Sequence, residues 1–249
     1  MHARYIFFIL LAMFGMSFSF LNKKPITLYM IGDSTMSIKA PKAYPETGWG
    51  MPFAGFFDST VKVDNRAKNG RSTRTFISEN LWQPVFDNLQ EGDYVFIQFG
   101  HNDEAKEKTE RYTTPDQYKA NLTRFIKETR TKKAIPVLLT PVSRRRFDKD
   151  GNALETHAAY SPLVREVAKE LNVLFIDMDA KSKALYQQMG KDNSRLLFLQ
   201  LKPGEHPNYS GGKDDNTHFN ELGARLIAQI VLSEIRVLDP SLAERIIKR

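Results

Sequence analysis

The chain has 249 residues, 41% of them hydrophobic and 26% charged, with a formal net charge of +7 and no cysteine. That balance excludes a disordered or fibrous chain, and the missing cysteines exclude disulfide staples and attachment through a lipidated cysteine. A chain of this length hides most of the surface its unfolded form exposes, so its core suffices without staples.

In chain order, Arg4 comes first, then an apolar run from Tyr5 to Met16 and the small-x-small triplet Ser17-Phe18-Ser19, which is the layout of a cleavable export signal. Tyr5 to Phe20 is shorter than the roughly 20 residues a spanning helix needs. Residues 1–19 are therefore expected to be a signal peptide and residues 20–249 one domain, exported to the periplasm or beyond, with no stable membrane insertion after cleavage. Ile26 to Ile31, Val61 to Val63, Tyr94 to Phe99, Pro136 to Leu139 and Val173 to Ile176 are short runs rich in β-branched or aromatic residues, and they predict strands. Helices are expected over Gly50 to Asp58, Glu79 to Leu89, Pro115 to Lys132 and Ser161 to Leu171, with more after the fifth strand. In the last helix Leu222, Leu226, Ile227, Ile230, Val231 and Ile235 form an apolar stripe, with Asn220 available as a cap. The stretch Lys202 to Asp215, rich in Gly, Pro and Asn, reads as a surface loop. Strands alternating with helices predict an α/β domain with a parallel sheet covered on both faces, and ligands bind such sheets just beyond the carboxyl ends of the strands.

The chemistry-bearing residues cluster at those ends. Ser34 follows the first strand at a turn where Gly32 lets the backbone bend; as alternatives, Asp33 and Ser34 serve as helix caps. After the second strand, Gly70 allows a close backbone approach and an inward-pointing NH. Asn102 follows the third strand and offers the amide donor that holds a developing oxyanion, although Asn102 and Asp103 also suit a plain turn. His218 is the candidate base and Asp215 the carboxylate that orients it, three positions apart before the last helix. His101, His157 and His206 compete with His218, and Asp214 competes with Asp215. A nucleophile, oxyanion donors, a base and its carboxylate are the parts acyl transfer needs. No clustered metal-ligand set is evident, so neither a metal nor any other cofactor is expected.

Four blocks, Gly32-Asp33-Ser34-Thr35-Met36, Asn65-Arg66-Ala67 with Gly70-Arg71-Ser72-Thr73-Arg74-Thr75-Phe76, Phe99-Gly100-His101-Asn102-Asp103 and Asp215-Asn216-Thr217-His218, resemble those of the SGNH, or GDSL-like, hydrolase superfamily. Together with Thr140-Pro141-Val142 and Arg145 they are similar to the rhamnogalacturonan acetylesterases, over about Ile26 to Leu232. The resemblance implies a three-layer, flavodoxin-like α/β/α sandwich with five parallel strands. It implies Ser34 as nucleophile, an oxyanion hole of the Ser34 and Gly70 NH groups with the Asn102 amide, and Asp215 and His218 completing a triad. Asn216 departs from the glycine that relatives usually carry there.

What the resemblance implies for function is a secreted esterase removing O-acetyl groups from rhamnogalacturonan, with an acetylated acidic polysaccharide as partner. Other readings are an acetylesterase on another glycan such as xylan, a lipase or thioesterase, and a non-catalytic glycan-binding protein. Nucleic acid is not expected as a partner, since no nucleic-acid-binding motif accompanies the positive charge. Arginine forks suit galacturonate carboxylates, so Arg74, Arg144 and Arg145, with His101, are the candidate substrate contacts; a solvated basic loop is the plainer reading of Arg144 to Arg146.

Overall fold

The computed structural model describes residues 23–247. Five strands, β1 (Ile26–Gly32), β2 (Val61–Asn65), β3 (Tyr94–Gln98), β4 (Ile135–Leu139) and β5 (Leu174–Ile176), pair in parallel in the order β2-β1-β3-β4-β5. Successive side chains leave a strand on opposite faces, and here both faces are apolar. Leu28, Met30, Tyr94, Phe96, Val137 and Leu139 join one core with Trp49, Phe53, Ile227 and Val231. Their neighbours Tyr29, Ile31, Val95, Ile97 and Leu138 join a second with Phe76, Phe125 and Val164.

Two layers of helices supply the partners. Helices α1 (Gly50–Phe53), α6 (Met178–Asn193), α7 (Glu221–Leu238) and α8 (Pro240–Ala243) serve the first core; α2 (Thr73–Ser78), α3 (Gln83–Asn88), α4 (Pro115–Thr131) and α5 (Ser161–Glu170) serve the second. The result is the expected α/β/α sandwich, and its strand order is the flavodoxin-like one.

The structure redraws several elements. The helix expected over Gly50 to Asp58 is α1 followed by a single 3-10 turn, Ala54–Phe56, because Phe57 leaves to pair with Ile246. The helix expected over Glu79 to Leu89 is two: α2 is nucleated earlier by a Ser72–Thr75 capping box, and Asn80 at φ 56 separates it from α3. The polar stretch after Lys202 is not simply a loop, because β6 (Phe198–Leu201) and β7 (Lys213–Phe219) pair as an antiparallel hairpin. On α7 the buried face runs through Ala224, Ile227, Ala228, Val231, Leu232 and Ile235, which leaves Leu222 49% exposed. Asn220 caps α7 as expected, its side chain accepting from the Gly223 NH at 3.0 Å.

The strand order reverses at β1, whose successor β2 lies on one side and β3 on the other. The crevice of a doubly wound sheet opens at such a switch point, so the residues just after Gly32 stand at its mouth. A side chain at Gly32 would sit 2.6 Å from the Gln98 carbonyl oxygen, so only glycine lets β1 end this close to β3. The expected signal peptide, residues 1–19, lies outside the described residues. Among the described residues no helix is long and apolar enough to cross a membrane.

Candidate active site

Ser34 occupies that mouth, 9% exposed. Its Oγ is 2.9 Å from Nε2 of His218, and Nδ1 of His218 is 2.8 Å from Oδ2 of Asp215. Burial raises the Asp215 carboxyl, but the bond from the His218 ring and those from the backbone NH groups of His218 and Thr217 outweigh it and hold it well below the usual carboxylate range. An ionised carboxylate only accepts, so Nδ1 of His218 carries the proton and Nε2 presents a lone pair to the Ser34 hydroxyl. That is the arrangement in which a histidine takes a proton from an attacking hydroxyl.

The hairpin explains how acid and base reach Ser34. Phe198 faces Phe219 and Gln200 faces Asp214 across a register shift, so Asp215, Asn216, Thr217 and His218 stand opposite Leu199 alone. The extra length loops out of the ladder. Asp215 holds its own turn, with Oδ1 accepting from the Thr217 NH at 2.8 Å and the His218 NH at 3.0 Å. Asp214 faces the other way, its Oδ1 accepting from Gln200 Nε2 at 2.7 Å. The Asn216 side chain accepts through Oδ1 from Arg145 Nη1 at 2.7 Å and from Gln200 Nε2 at 3.1 Å.

Two bonds gather the remaining blocks around Ser34. Asp33, fully buried, faces His101 with Oδ2 to Nδ1 at 3.2 Å, which draws the β3 end against the nucleophile turn. Asn102 then donates from Nδ2 to the Arg71 carbonyl at 3.0 Å, which draws the same segment against the Gly70 loop. Gly70 has φ +76, a conformation that side-chain-bearing residues rarely adopt. Ser34, Gly70 and Asn102 thus come from three strand ends braced to one another.

Burial pushes the His101 ring down to about 4, against the pull of Asp33. Burial also raises Asp33, but the bonds from His101 and from Thr35 prevail and hold its carboxyl below the usual range. At neutral pH a neutral His101 therefore donates from Nδ1 to an ionised Asp33. The structure turns His101 inward, edge-on to His157 at 4.5 Å between ring centroids, with only 6% of it exposed.

The arginines are similarly occupied. Arg74 donates to the Thr109 and Tyr112 carbonyls, each at 3.2 Å. Arg145 bonds Ser194, Asn216 and the Lys191 carbonyl. Arg144 donates from Nη1 to Thr217 Oγ1 at 2.9 Å, with Nη2 3.3 Å from Glu104, so Arg144 and Arg145 both touch the Asp215–His218 turn and both are partly exposed.

The sequence model of the GDSL-like lipase/acylhydrolase family matches residues 30–226. The chain belongs to that family. It is accordingly a serine esterase, a hydrolase of carboxylic ester bonds. It is 42% identical to the rhamnogalacturonan acetylesterase RhgT of Bacillus subtilis, over 91% of this chain and 97% of that one. Among solved structures, a Bacillus subtilis protein superposes with a TM-score of 0.73 at 23% identity, covering 86% of this chain and 57% of that one, so this chain spans little more than half of that neighbour. The acetylxylan esterase Axe2 of Geobacillus stearothermophilus superposes with a TM-score of 0.59 at 21% identity, over 85% and 94% of the two chains, a likeness of fold.

Beyond the expected residues, the esterase site has two cations that sequence reasoning missed. Lys39, with a side chain 2% exposed, donates from Nζ to the Ser34 carbonyl at 2.6 Å and to Asn69 Oδ1 at 2.8 Å, and pairs with Glu46 at 2.7 Å. It ties the nucleophile turn to the residue before Gly70. Arg111 donates from Nη1 to Asn102 Oδ1 at 3.1 Å. A cleft of about 620 Å³ borders Lys39, Tyr44 and Arg225 but includes neither Ser34 nor His218.

Proposed function

We propose that this esterase is an exported carbohydrate acetylesterase that removes O-acetyl groups from acetylated rhamnogalacturonan through an acetyl-enzyme on Ser34. The observation that carries the reading is the unbroken chain Ser34–His218–Asp215 at 2.9 and 2.8 Å, taken with the acetylesterase named at 42% identity. In the first half-reaction the Ser34 oxygen attacks the acetyl carbonyl carbon while Nε2 of His218 takes the hydroxyl proton. The tetrahedral oxyanion is held by the Ser34 and Gly70 NH groups and the Asn102 amide, in a contribution worth about 3–4 kcal/mol for a single donor in such holes. Collapse expels the sugar oxygen, which takes the proton from His218. A water deprotonated by the same ring then attacks the acetyl-enzyme, releasing acetate and restoring Ser34. Asp215 stays ionised throughout, fixing the tautomer and stabilising the imidazolium.

The substrate partner in this reading is an acetylated acidic polysaccharide, which suits a chain of net charge +7. Residues 1–19 act as the signal and residues 20–249 as the hydrolase domain, with Arg144 and Arg145 the candidates for touching substrate. The deciding experiment is acetate release by the mature protein from acetylated rhamnogalacturonan beside acetylated xylan, with Ser34→Ala as control. Release from the pectic polymer, abolished in Ser34→Ala, supports the reading; release from xylan alone overturns the substrate, and turnover retained in Ser34→Ala overturns the mechanism. Sequencing the N-terminus of protein recovered outside the cytoplasm tests the signal, with an intact Met1 as the contrary result.

A further inference from the structure

The Asn102 amide is clamped from both ends. Its Nδ2 donates one hydrogen to the Arg71 carbonyl at 3.0 Å, and its Oδ1 accepts from Arg111 Nη1 at 3.1 Å. A guanidinium only donates and a carbonyl only accepts. Turning the amide over would set Oδ1 against the Arg71 carbonyl and the NH₂ group against the guanidinium, two like-polarity contacts in place of two bonds. The orientation is therefore determined by the neighbours, and the second N–H of Nδ2 is left without a partner among the described residues. Arg111 lies beside the same loop: Nη1 also donates to the Gly70 carbonyl at 3.5 Å, while Nε, 3.3 Å from Glu110 Oε1, makes no hydrogen bond among the described residues.

We infer that Arg111 is the positioning residue of the oxyanion hole: it fixes the Asn102 amide so that its free N–H meets the oxyanion, and it braces the Gly70 loop from the same guanidinium. This rests on the proposed acyl-transfer reading, in which Asn102 is a donor to the oxyanion. A carboxylate of the substrate plays no part in this role. The inference differs in that respect from one in which Arg111 binds an acidic sugar, because it requires the same effect on a neutral ester.

The test is a double-mutant cycle on p-nitrophenyl acetate, an uncharged substrate, with wild type, Asn102→Ala, Arg111→Met and the double variant. Asn102→Ala alone is expected to lower kcat about 10²–10³-fold, and no loss there overturns the oxyanion reading itself while Ser34→Ala separately reports on the nucleophile. Arg111→Met is expected to lower kcat about tenfold or more with KM within about twofold, and to add less than about twofold in the Asn102→Ala background, as groups acting as a unit do. A full multiplicative loss in the double variant, an unchanged kcat in Arg111→Met, or a loss appearing in KM alone would overturn the inference. Arg111→Gln, which keeps one donor for Oδ1, is expected to recover part of the lost kcat in the Asn102 protein and none in the Asn102→Ala protein. That comparison decides the matter should Arg111→Met not fold; recovery in both backgrounds contradicts a role exerted through Asn102.

Discussion

Oδ2 of Asp33 lies 3.2 Å from Nδ1 of His101, which ties the residue before Ser34 to the residue before Asn102. Both side chains are buried, so the bond is a strut between the ends of β1 and β3. Replacing His101 by Phe leaves the Asp33 carboxylate without one of its donors in a place water does not reach. A hydrogen bond to a charged group contributes about 1.5–3 kcal/mol, and for a chain of this size that converts to a melting point lower by roughly 3–10 °C. The expected kinetic signature is a lower kcat with KM on glycan unchanged. A raised KM with an unchanged melting point would instead make His101 a substrate contact.

Asp215 and Asp214 are adjacent, yet only Asp215 faces the base. Asp215→Asn keeps the size of the side chain but presents no ionised acceptor to His218 Nδ1, and in serine triads the equivalent change lowers kcat about 10⁴-fold. Asp214→Asn disturbs the Gln200 bond on the far side of the hairpin and is expected to leave kcat within about twofold. Steady-state kinetics on a chromogenic acetate ester read both, and a loss in Asp214→Asn matching that in Asp215→Asn would contradict the assignment.

Ser34, Gly70 and Asn102 could be singled out because each follows a short apolar run, and a doubly wound sheet brings those ends together. The hairpin that delivers His218 was not legible. Lys213-Asp214-Asp215-Asn216-Thr217-His218 lacks the apolar alternation of a strand, and its register shift leaves no periodic trace. Leu222 looked like core because it is leucine on an amphipathic helix, but the buried face of α7 is turned toward Ala224 and Ala228, small residues that let the helix sit close. Lys39 and Arg111 were unreadable for a different reason. Their neighbours along the chain are ordinary, and their meaning comes from acceptors 5 and 30 residues away in one case and 9 in the other.

Burial pushes the Asp103 carboxyl up to about 7, against the bonds it accepts from the Thr73 NH at 2.9 Å and hydroxyl at 2.6 Å. Its Oδ2 has no hydrogen-bond partner among the described residues. The unfolded chain holds this proton only up to the ordinary carboxylate value of 3.8, so between about pH 4 and 7 the folded state binds more protons than the unfolded one. Stability contributed by this group is therefore present at low pH and is lost as pH rises through that window, by up to roughly 1.4 kcal/mol for each pH unit crossed. Asp103→Asn keeps an acceptor for Thr73 and cannot ionise. Its melting point relative to wild type is expected to improve from pH 5 to pH 8, and a difference that is flat across that range would refute the assignment.

Lys39 raises the last prediction, because its ammonium has three hydrogens and three acceptors, Ser34 O, Asn69 Oδ1 and Glu46 Oε1. Burial lowers its affinity for a proton and Glu46 pulls the other way, with burial prevailing. Lys39→Met fills the same space but strands the Glu46 carboxylate and takes one donor each from the Ser34 carbonyl and Asn69, so it should cost about 3–5 kcal/mol of stability. Glu46→Gln made on top of it removes the stranded charge and should return part of that loss, since replacing both members of a buried pair is milder than breaking it. The kinetic loss should not return with it. Asn69 precedes Gly70, and Glu46→Gln does not restore the ammonium that joins Asn69, at 2.8 Å, to the Ser34 carbonyl, at 2.6 Å. The Ser37 hydroxyl, 2.6 Å from Asn69 Oδ1 but 3.3 Å from the Ser34 carbonyl, is a weaker link between the two. Thermal melts of the four proteins with kcat on p-nitrophenyl acetate separate the two effects: stability recovering while kcat stays low supports a cation that aligns Ser34 with Gly70, whereas kcat recovering in step with stability reduces Lys39 to a partner for Glu46.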